Sequence, residues 1–280
     1  MILINGQRID LVLVVAVSLV LIFAFYLFAM IVLARFRPSS WRPRSPHETG
    51  ASQYDVVFLI PCLNEERVVG ASIERLLNID YPNMTVLVID DGSDDGTAEV
   101  VRSIDDPRVH LLQRTLPNAR KGKGRALNNA VQHLRSGEVI GKPDPETTIV
   151  VVVDADGRMD EQSLNYVLPE FDDPELGAAQ IGVRINNRHT NLLARFQDFE
   201  FVIYTEVFQR GRVLLGSSGL GGNGQFVRLS ALDSLGDEPW SDSLTEDLDL
   251  GVRILLAGYR LDFCPDVAVH QQGLVSLRRW

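Results

Sequence analysis

From residue 55 onward, short runs of consecutive apolar residues take turns with stretches in which apolar positions recur every three or four residues. Residues 56–60, 86–89, 109–112 and 148–153 are the short runs, and each is rich in Val, Ile and Leu. Such runs predict strands buried on both faces. Residues 65–77 and 124–134 carry the helical period, with Val68, Val69, Ile73, Leu76 and Leu77 on one side of the first. A short helix is expected from about Thr97, with Asp95 or Thr97 near its cap. Alternation of this kind predicts an α/β fold built on a doubly wound, mainly parallel sheet. After Asp160 the pattern changes. A strand is expected over 178–183, an aromatic-rich helix over 191–209, a glycine-rich loop over 216–224, a strand over 225–228 and a helix over 248–256.

One segment stands apart. Residues 11–34 contain no charged side chain, and 24 residues of helix are long enough to cross roughly 30 Å of hydrocarbon. No small-residue cleavage site follows Met30, so a retained membrane helix is expected rather than a signal peptide. Arg35, Arg37, Arg42 and Arg44 follow it, and only Arg8 and Asp10 precede it. The positive-inside rule then places the remainder in the cytoplasm, at the inner membrane. The expected organisation is a tail over 1–10, a membrane helix over 11–34, a basic Pro/Ser linker over 35–53, a catalytic domain over 54–273 and the start of an interfacial helix over 274–280.

Charge and cysteine content narrow the function. A net charge of −10 argues against nucleic acid as a partner. Cys62 and Cys264 are the only cysteines; they are expected to be unpaired in a cytoplasmic domain and do not make a zinc site.

The candidate chemistry lies just past the strands. Asp154-Ala155-Asp156 follows the strongest apolar run, at the carboxyl edge where open α/β sheets bind ligands. Two carboxylates one residue apart can hold a hard divalent cation, Mg²⁺ or Mn²⁺, that bridges to phosphates. Thr245-Glu246-Asp247 opens a helical pattern and offers a base. Together they suggest group transfer from an activated nucleotide. The turn from Asp90 to Gly96 is expected to expose Asp90 or Asp91 to a base or ribose. It is not an EF-hand loop, because counting from Asp91 the twelfth position is Arg102 rather than a bidentate Glu. Gly219-Leu220-Gly221-Gly222-Asn223-Gly224 matches G-x-G-x-x-G but lies far from the first βαβ unit; a loop approaching a bound sugar suits it better. Lys123 precedes a helix and could meet phosphate, although no Walker sequence occurs. His270, after Val267-Ala268-Val269, is a further candidate for a metal or pyrophosphate contact.

In this order the motifs resemble the inverting family-two glycosyltransferases with the GT-A fold, and most of all the membrane polysaccharide synthases. Matching stretches are Ile60-Pro61-Cys62-Leu63-Asn64-Glu65, Asp90-Asp91-Gly92-Ser93, Lys123-Gly124, the D-x-D at Asp154 and Asp156, Gly222-Asn223-Gly224-Gln225-Phe226, and Thr245-Glu246-Asp247. The resemblance implies a nucleotide site formed by Pro61, Asn64, Glu65, Asp90, Asp91, Lys123, Asp154 and Ala155. Asp156, with Asp154, would hold Mg²⁺ or Mn²⁺. Gly222, Asn223, Gly224 and Gln225 would face the sugars, and Asp247, with Glu246 beside it, would be the catalytic base. Its partners would be a nucleotide-sugar donor, a carbohydrate or lipid acceptor, and the lipid bilayer. Glycolipid synthesis and an inactive partner subunit are the rival expectations. The family's Q-x-x-R-W motif is not matched: Arg278-Arg279-Trp280 ends the sequence with Ser276 where glutamine would stand, and the chain is expected to stop just before the motif.

Overall fold

A computed structural model describes residues 2–4, 7–9, 11–36, 43 and 53–276. Strands β1 (Ile2–Ile4) and β2 (Gln7–Ile9) pair antiparallel ahead of helix α1 (Leu11–Phe36). α1 is long and apolar enough to cross a membrane, with a mean hydropathy of 3.0 over its best window. Most of the basic linker and residues 277–280 lie outside the described residues; of the interfacial helix expected over 274–280, residues 274–276 are described and form no helix.

The first half of the α/β domain follows the predicted alternation. β3 (Asp55–Cys62), α2 (Val69–Leu77), β4 (Met84–Asp90), α3 (Thr97–Arg102), β5 (Val109–Gln113), α4 (Lys123–Arg135) and β6 (Thr148–Val152) come in order. β5, β4, β3 and β6 lie side by side, all parallel. Alternation along a strand sends successive side chains to opposite faces. Val56, Phe58 and Ile60 therefore join the core under α2, while Val57 and Leu59 join the core under α4. α4 buries Ala126, Leu127, Ala130, Val131 and Leu134, the spacing of one helical stripe.

The second half is mixed. β7 (Arg158–Met159), α5 (Ser163–Val167) and β8 (Leu176–Ile185) precede α6 (Leu192–Ile203). The helix then passes through a π-helical turn, Tyr204–Gln209, into α7 (Arg210–Val213). β9 (Gln225–Arg228), α8 (Leu229–Asp233), α9 (Glu246–Leu256) and β10 (Arg260–Gln271) complete the chain. β9 inserts antiparallel between β6 and β8, and β10 runs parallel to β8, giving the order β5-β4-β3-β6-β9-β8-β10-β7. Two reversals at β9 leave β8 and β10 pointing the same way as β6. The carboxyl ends of β6 and β10 therefore share one edge of the sheet.

Two expectations shift. The helix predicted from Glu65 begins at Val69, because the backbone N–H of Glu65 donates to Thr97 Oγ1 (2.8 Å) and that of Glu66 to Asp95 (3.2 Å). The helix over 191–209 is present but changes to π geometry at Tyr204. Both cysteines are free and buried, as expected.

Candidate active site

Two neighbouring turns at the carboxyl edge are tied into one rim. Asn64, in the left-handed region at φ 61, donates its backbone N–H to Ser93 Oγ (2.9 Å) and accepts at Oδ1 from Asp94 N (2.8 Å). Behind that rim Asp90 and Asp91 are 2% and 7% exposed, more enclosed than a turn open to a ligand would be. Their burial has a local cause. Asp90 accepts from Ser93 N (2.9 Å) and Gln113 Nε2 (3.0 Å), and Asp91 accepts from Arg114 Nη1 (2.5 Å). A buried carboxylate needs such partners. Asp91 still lines the edge of the cavity described next.

That first cavity, of about 700 Å³, opens among Pro61, Glu65, Lys123, Asp154, Asp156 and Gln272. Asp154, Ala155 and Asp156 form the turn that ends β6. Ala155 is buried, and its carbonyl accepts from Ser72 Oγ at 2.6 Å, which pins the turn from below. Asp156 accepts a long hydrogen bond from Gln272 N (3.4 Å). Burial first, and then the carboxylates of Asp156, Asp95 and Asp154, push the Glu65 carboxyl above its usual range. The cavity thus concentrates negative charge at one point.

Lys123 answers part of that charge. Its Nζ donates to Asp154 Oδ1 (2.5 Å) and to the carbonyl of Gly222 (2.6 Å). Among the described residues no group of three His, Cys, Asp or Glu side chains is arranged to cage a metal. Two carboxylates at the wall of this open cavity suit a different donor set. Mg²⁺ in nucleotide sites commonly takes one or two carboxylates, with substrate phosphates and water supplying the rest. Asp154 and Asp156 fit that arrangement. His270 takes another partner: its Nε2 lies 3.0 Å from Asp160 Oδ1.

A second cavity, of about 380 Å³, lies on the far side of Asp154 and is also lined by Gln180, Tyr204, Gly222, Asn223 and Asp247. Asp154 belongs to both cavities. Its backbone N–H donates to Asn223 Oδ1 (3.2 Å), so the glycine-rich loop is fastened to the D-x-D turn. Gln180 fastens the same loop from β8, donating to Asn223 O (2.8 Å) and accepting from Gly221 N (2.8 Å). Gly222 leaves the gap the site needs, since a Cβ there would sit 3.3 Å from Lys123 Nζ and 3.4 Å from Asp247 Oδ2. Gly224, at φ +75, has no room for a side chain, because a Cβ would meet Ile181 Cγ1 at 2.7 Å. Gln225 lies fully buried in β9, behind the loop.

Asp247 occupies the first turn of α9, where a helix N-terminus favours negative charge, and accepts from Leu248 N at 2.7 Å. Glu246 starts α9, and its Cβ lies 3.5 Å from where Gly124 would carry one, beside the start of α4.

The structure also brings in residues that the sequence did not flag. Gln271 and Gln272 reach the two cavities from the end of β10. The carboxyl-edge rule, applied to Val267-Ala268-Val269, would have found them. Gln209, inside the π turn, pairs with both backbone groups of Gly219 (2.6 and 2.8 Å). Tyr204 lines the second cavity; burial raises its hydroxyl pKa, with Asp247 and Tyr26 adding and Arg212 opposing. No local pattern announces either role.

Known proteins resemble this chain in sequence and in fold. The chain is 31% identical over 227 residues to a beta-monoglucosyldiacylglycerol synthase of Synechocystis sp., covering 79% of this chain and 44% of that one. The same-named protein of Trichormus variabilis is 34% identical over 229 residues, covering 79% and 45%. A poly-beta-1,6-N-acetyl-D-glucosamine synthase of Staphylococcus aureus is 27% identical, covering 75% and 48%. The chain thus spans about half the length of these curated relatives. Among solved structures, a mannosyltransferase of Pyrobaculum calidifontis in complex with GDP-Man and Mn²⁺ superposes with a TM-score of 0.64 at 23% identity, covering 91% of this chain and 65% of that one. TarS of S. aureus in complex with UDP-GlcNAc gives 0.54 at 18%, covering 79% and 59%. These likenesses identify the curled, mixed sheet as a GT-A fold. Residues 53–278 match the family described as Glycosyltransferase like family 2, and the chain belongs to it.

Proposed function

We propose that this chain is a membrane-anchored, metal-dependent, inverting glycosyltransferase that moves a sugar from a UDP-sugar to an acceptor hydroxyl at the cytoplasmic face of the inner membrane. One observation carries the reading: Asp154 lines two cavities, one rich in carboxylates and the other containing Asp247. A donor in the first would present its anomeric carbon at the junction, with Asp247 across from the leaving group.

The catalytic domain over 54–273 supplies the parts. Pro61, Asn64, Glu65, Asp91 and Ala155 would border the nucleotide, and Asp90 would brace that border from beneath. Asp154 and Asp156 would hold Mg²⁺ or Mn²⁺ on the diphosphate, where the cation supplies Lewis-acid neutralisation of the leaving charge. Lys123, already bound to Asp154, would turn its ammonium toward the phosphates. Asp247 would take the proton from the acceptor hydroxyl. The acceptor oxygen then forms its bond to the anomeric carbon as the bond to the diphosphate oxygen breaks. The electron pair leaves with the nucleoside diphosphate, and attack from the opposite face inverts the centre.

Both classes of acceptor have support among the relatives, since one kind makes a glycolipid and another a polysaccharide. The cytoplasmic orientation rests on the uncharged α1 and the arginines after it. The test is a UDP-sugar panel offered to the protein in membranes, with linkage analysis of the product and with EDTA and Mn²⁺ arms. An EDTA-sensitive, stereochemically inverted product supports the reading. Transfer that EDTA leaves untouched, or a retained anomeric configuration, sinks it.

A further inference from the structure

A third cavity, of about 800 Å³, adjoins the second and shares Phe201, Tyr204 and Gln271 with it. Its other walls are Phe196, Phe199, Phe208 and Leu274, with Gln197 and Glu200 among them. Phe196 and Phe199 are 66% and 61% exposed along one side of α6. Contiguous aromatic exposure of this kind marks a site that something apolar covers.

The position of α1 says what that is. The same helix that forms the groove continues through the π turn into α7, and α1 packs there. Tyr26 of α1 stacks on Phe208 with ring centroids 6.1 Å apart. Met30 of α1 is buried against Gly211, so closely that a Cβ at Gly211 would fall 2.9 Å from the Met30 carbonyl. Phe208 is therefore both a wall of the groove and the seat of the helix that is apolar enough to cross a membrane. The groove thus shares Phe208 with the seat of α1, and Phe201, Tyr204 and Gln271 with the cavity of Asp247.

The lining is largely apolar. Gln197 spends its amide on backbone, donating to Leu193 O (3.2 Å) and Leu274 O (3.0 Å) and accepting from Leu274 N (3.0 Å). Glu200, Gln271 and Gln272 add polar atoms, but the larger part of the lining is ring face and aliphatic surface, which suits hydrocarbon.

We infer that the acceptor is an amphiphilic lipid whose hydroxyl end reaches Asp247 while a hydrocarbon chain lies along the Phe196–Phe199 groove beside α1. This rests on the proposed transferase reading and names its substrate class. A cavity of this size falls within the range that holds a drug-sized ligand.

The test uses the protein in membranes with a diacylglycerol carrying a diazirine on one acyl chain, and a phosphatidylcholine with the same label as control. Photolabelled peptides are mapped, and UDP-sugar binding is measured on the same preparations. The diacylglycerol probe should label the α6 segment at least tenfold more than the phosphatidylcholine probe. Phe196→Gln/Phe199→Gln should lower that labelling about tenfold, and Phe196→Leu/Phe199→Leu should keep it. Equal labelling by both probes would make the groove a bulk-lipid contact and overturn the inference. So would labelling confined to α1, or a groove covered by chain that follows Ser276 and closed to the probe. Loss of UDP-sugar binding in the wild type would instead strike at the transferase reading, which the mapping does not depend on.

Discussion

The two sides of Asp154 are built differently. On the β3–β5 side, carboxylates and turns are saturated with partners: Asp90 with Ser93 and Gln113, Asp91 with Arg114, and Asn64 with Ser93 and Asp94. On the β8–β10 side, a few amides anchor the glycine-rich loop, but aromatic rings face outward along α6. The first side is finished by the chain itself. The second leaves aromatic rings uncovered among the described residues. The contrast predicts that damage to the first side acts on nucleotide binding and folding, and damage to the second on turnover.

The largest effect is expected at Asp156. Asp156→Ala removes one of the two carboxylates that we propose share a cation with phosphates. Transfer should fall below detection, and Mn²⁺ should no longer raise UDP affinity by calorimetry. If Mn²⁺ enhances UDP binding equally in both proteins, the first side does not work as described.

Asp247→Asn sharpens the contrast from the other side. The amide keeps the shape and hydrogen bond to Leu248 but cannot accept the acceptor's proton. Turnover should fall by roughly 10²- to 10⁴-fold, the usual worth of a general base. UDP affinity should stay within about twofold. A variant that turns over normally would move the base elsewhere.

How much of this was legible in the sequence follows the same divide. The four parallel strands appear as runs of Val, Ile and Leu, and the carboxyl-edge rule then points straight to Asp154 and Asp156. The burial of Asp90 and Asp91 was hidden, because their partners Gln113 and Arg114 arrive from the end of the next strand, 23 residues away. Lys123 looked like a phosphate contact from its place before a helix; its bonds to Asp154 and Gly222 span 31 and 99 residues. The antiparallel insertion of β9 left no local trace either. Four residues that follow a glycine-rich loop read the same in either direction, and only pairing with β6 and β8 sets the sense. The aromatic helix was visible as a helix, but its outward face acquires meaning only from α1 packing beside it.

Arg114 tests whether the first side is as self-contained as its hydrogen bonds suggest. Its guanidinium is nearly enclosed, donating to Asp91 and to Asn118 O at 2.7 Å. Arg114→Met would leave Asp91 buried without its counter-ion. Breaking one partner of a buried pair typically costs about 3–5 kcal/mol. Chemical denaturation of the variant should show a loss of that order, with Asp91→Asn/Arg114→Met recovering part of it. A loss under about 1 kcal/mol would mean that water already reaches this pair.

The smallest effect is a pH dependence at the outer edge of the same side. His110 sits on β5, the last strand of the sheet, with His133 on α4 nearby. Burial first, and then the neighbouring His133, lower the His110 pKa from its ordinary 6.5. Glu138 lies 3.6 Å from His133 Nδ1 and faces that imidazole. The unfolded chain therefore takes up a proton on His110 at a pH where the folded chain still resists it. Stability tied to this group is complete well above pH 6.5 and is lost as the pH falls below 6.5 toward the lowered folded value. Carboxylates add their own dependence at lower pH, so the useful measurement is a difference. Melting temperatures of wild type and His110→Gln, taken between pH 7.5 and 5.5, should diverge in the neutral range and draw together as the acid end is reached. Because His110 is only partly enclosed, a convergence of ~2 °C is the scale to expect in a domain of this size. If the gap between the two curves widens toward acid, the protonated imidazole is stabilised in the fold. The edge of the sheet would then supply His110 with a negative partner and not the repulsive neighbour described here.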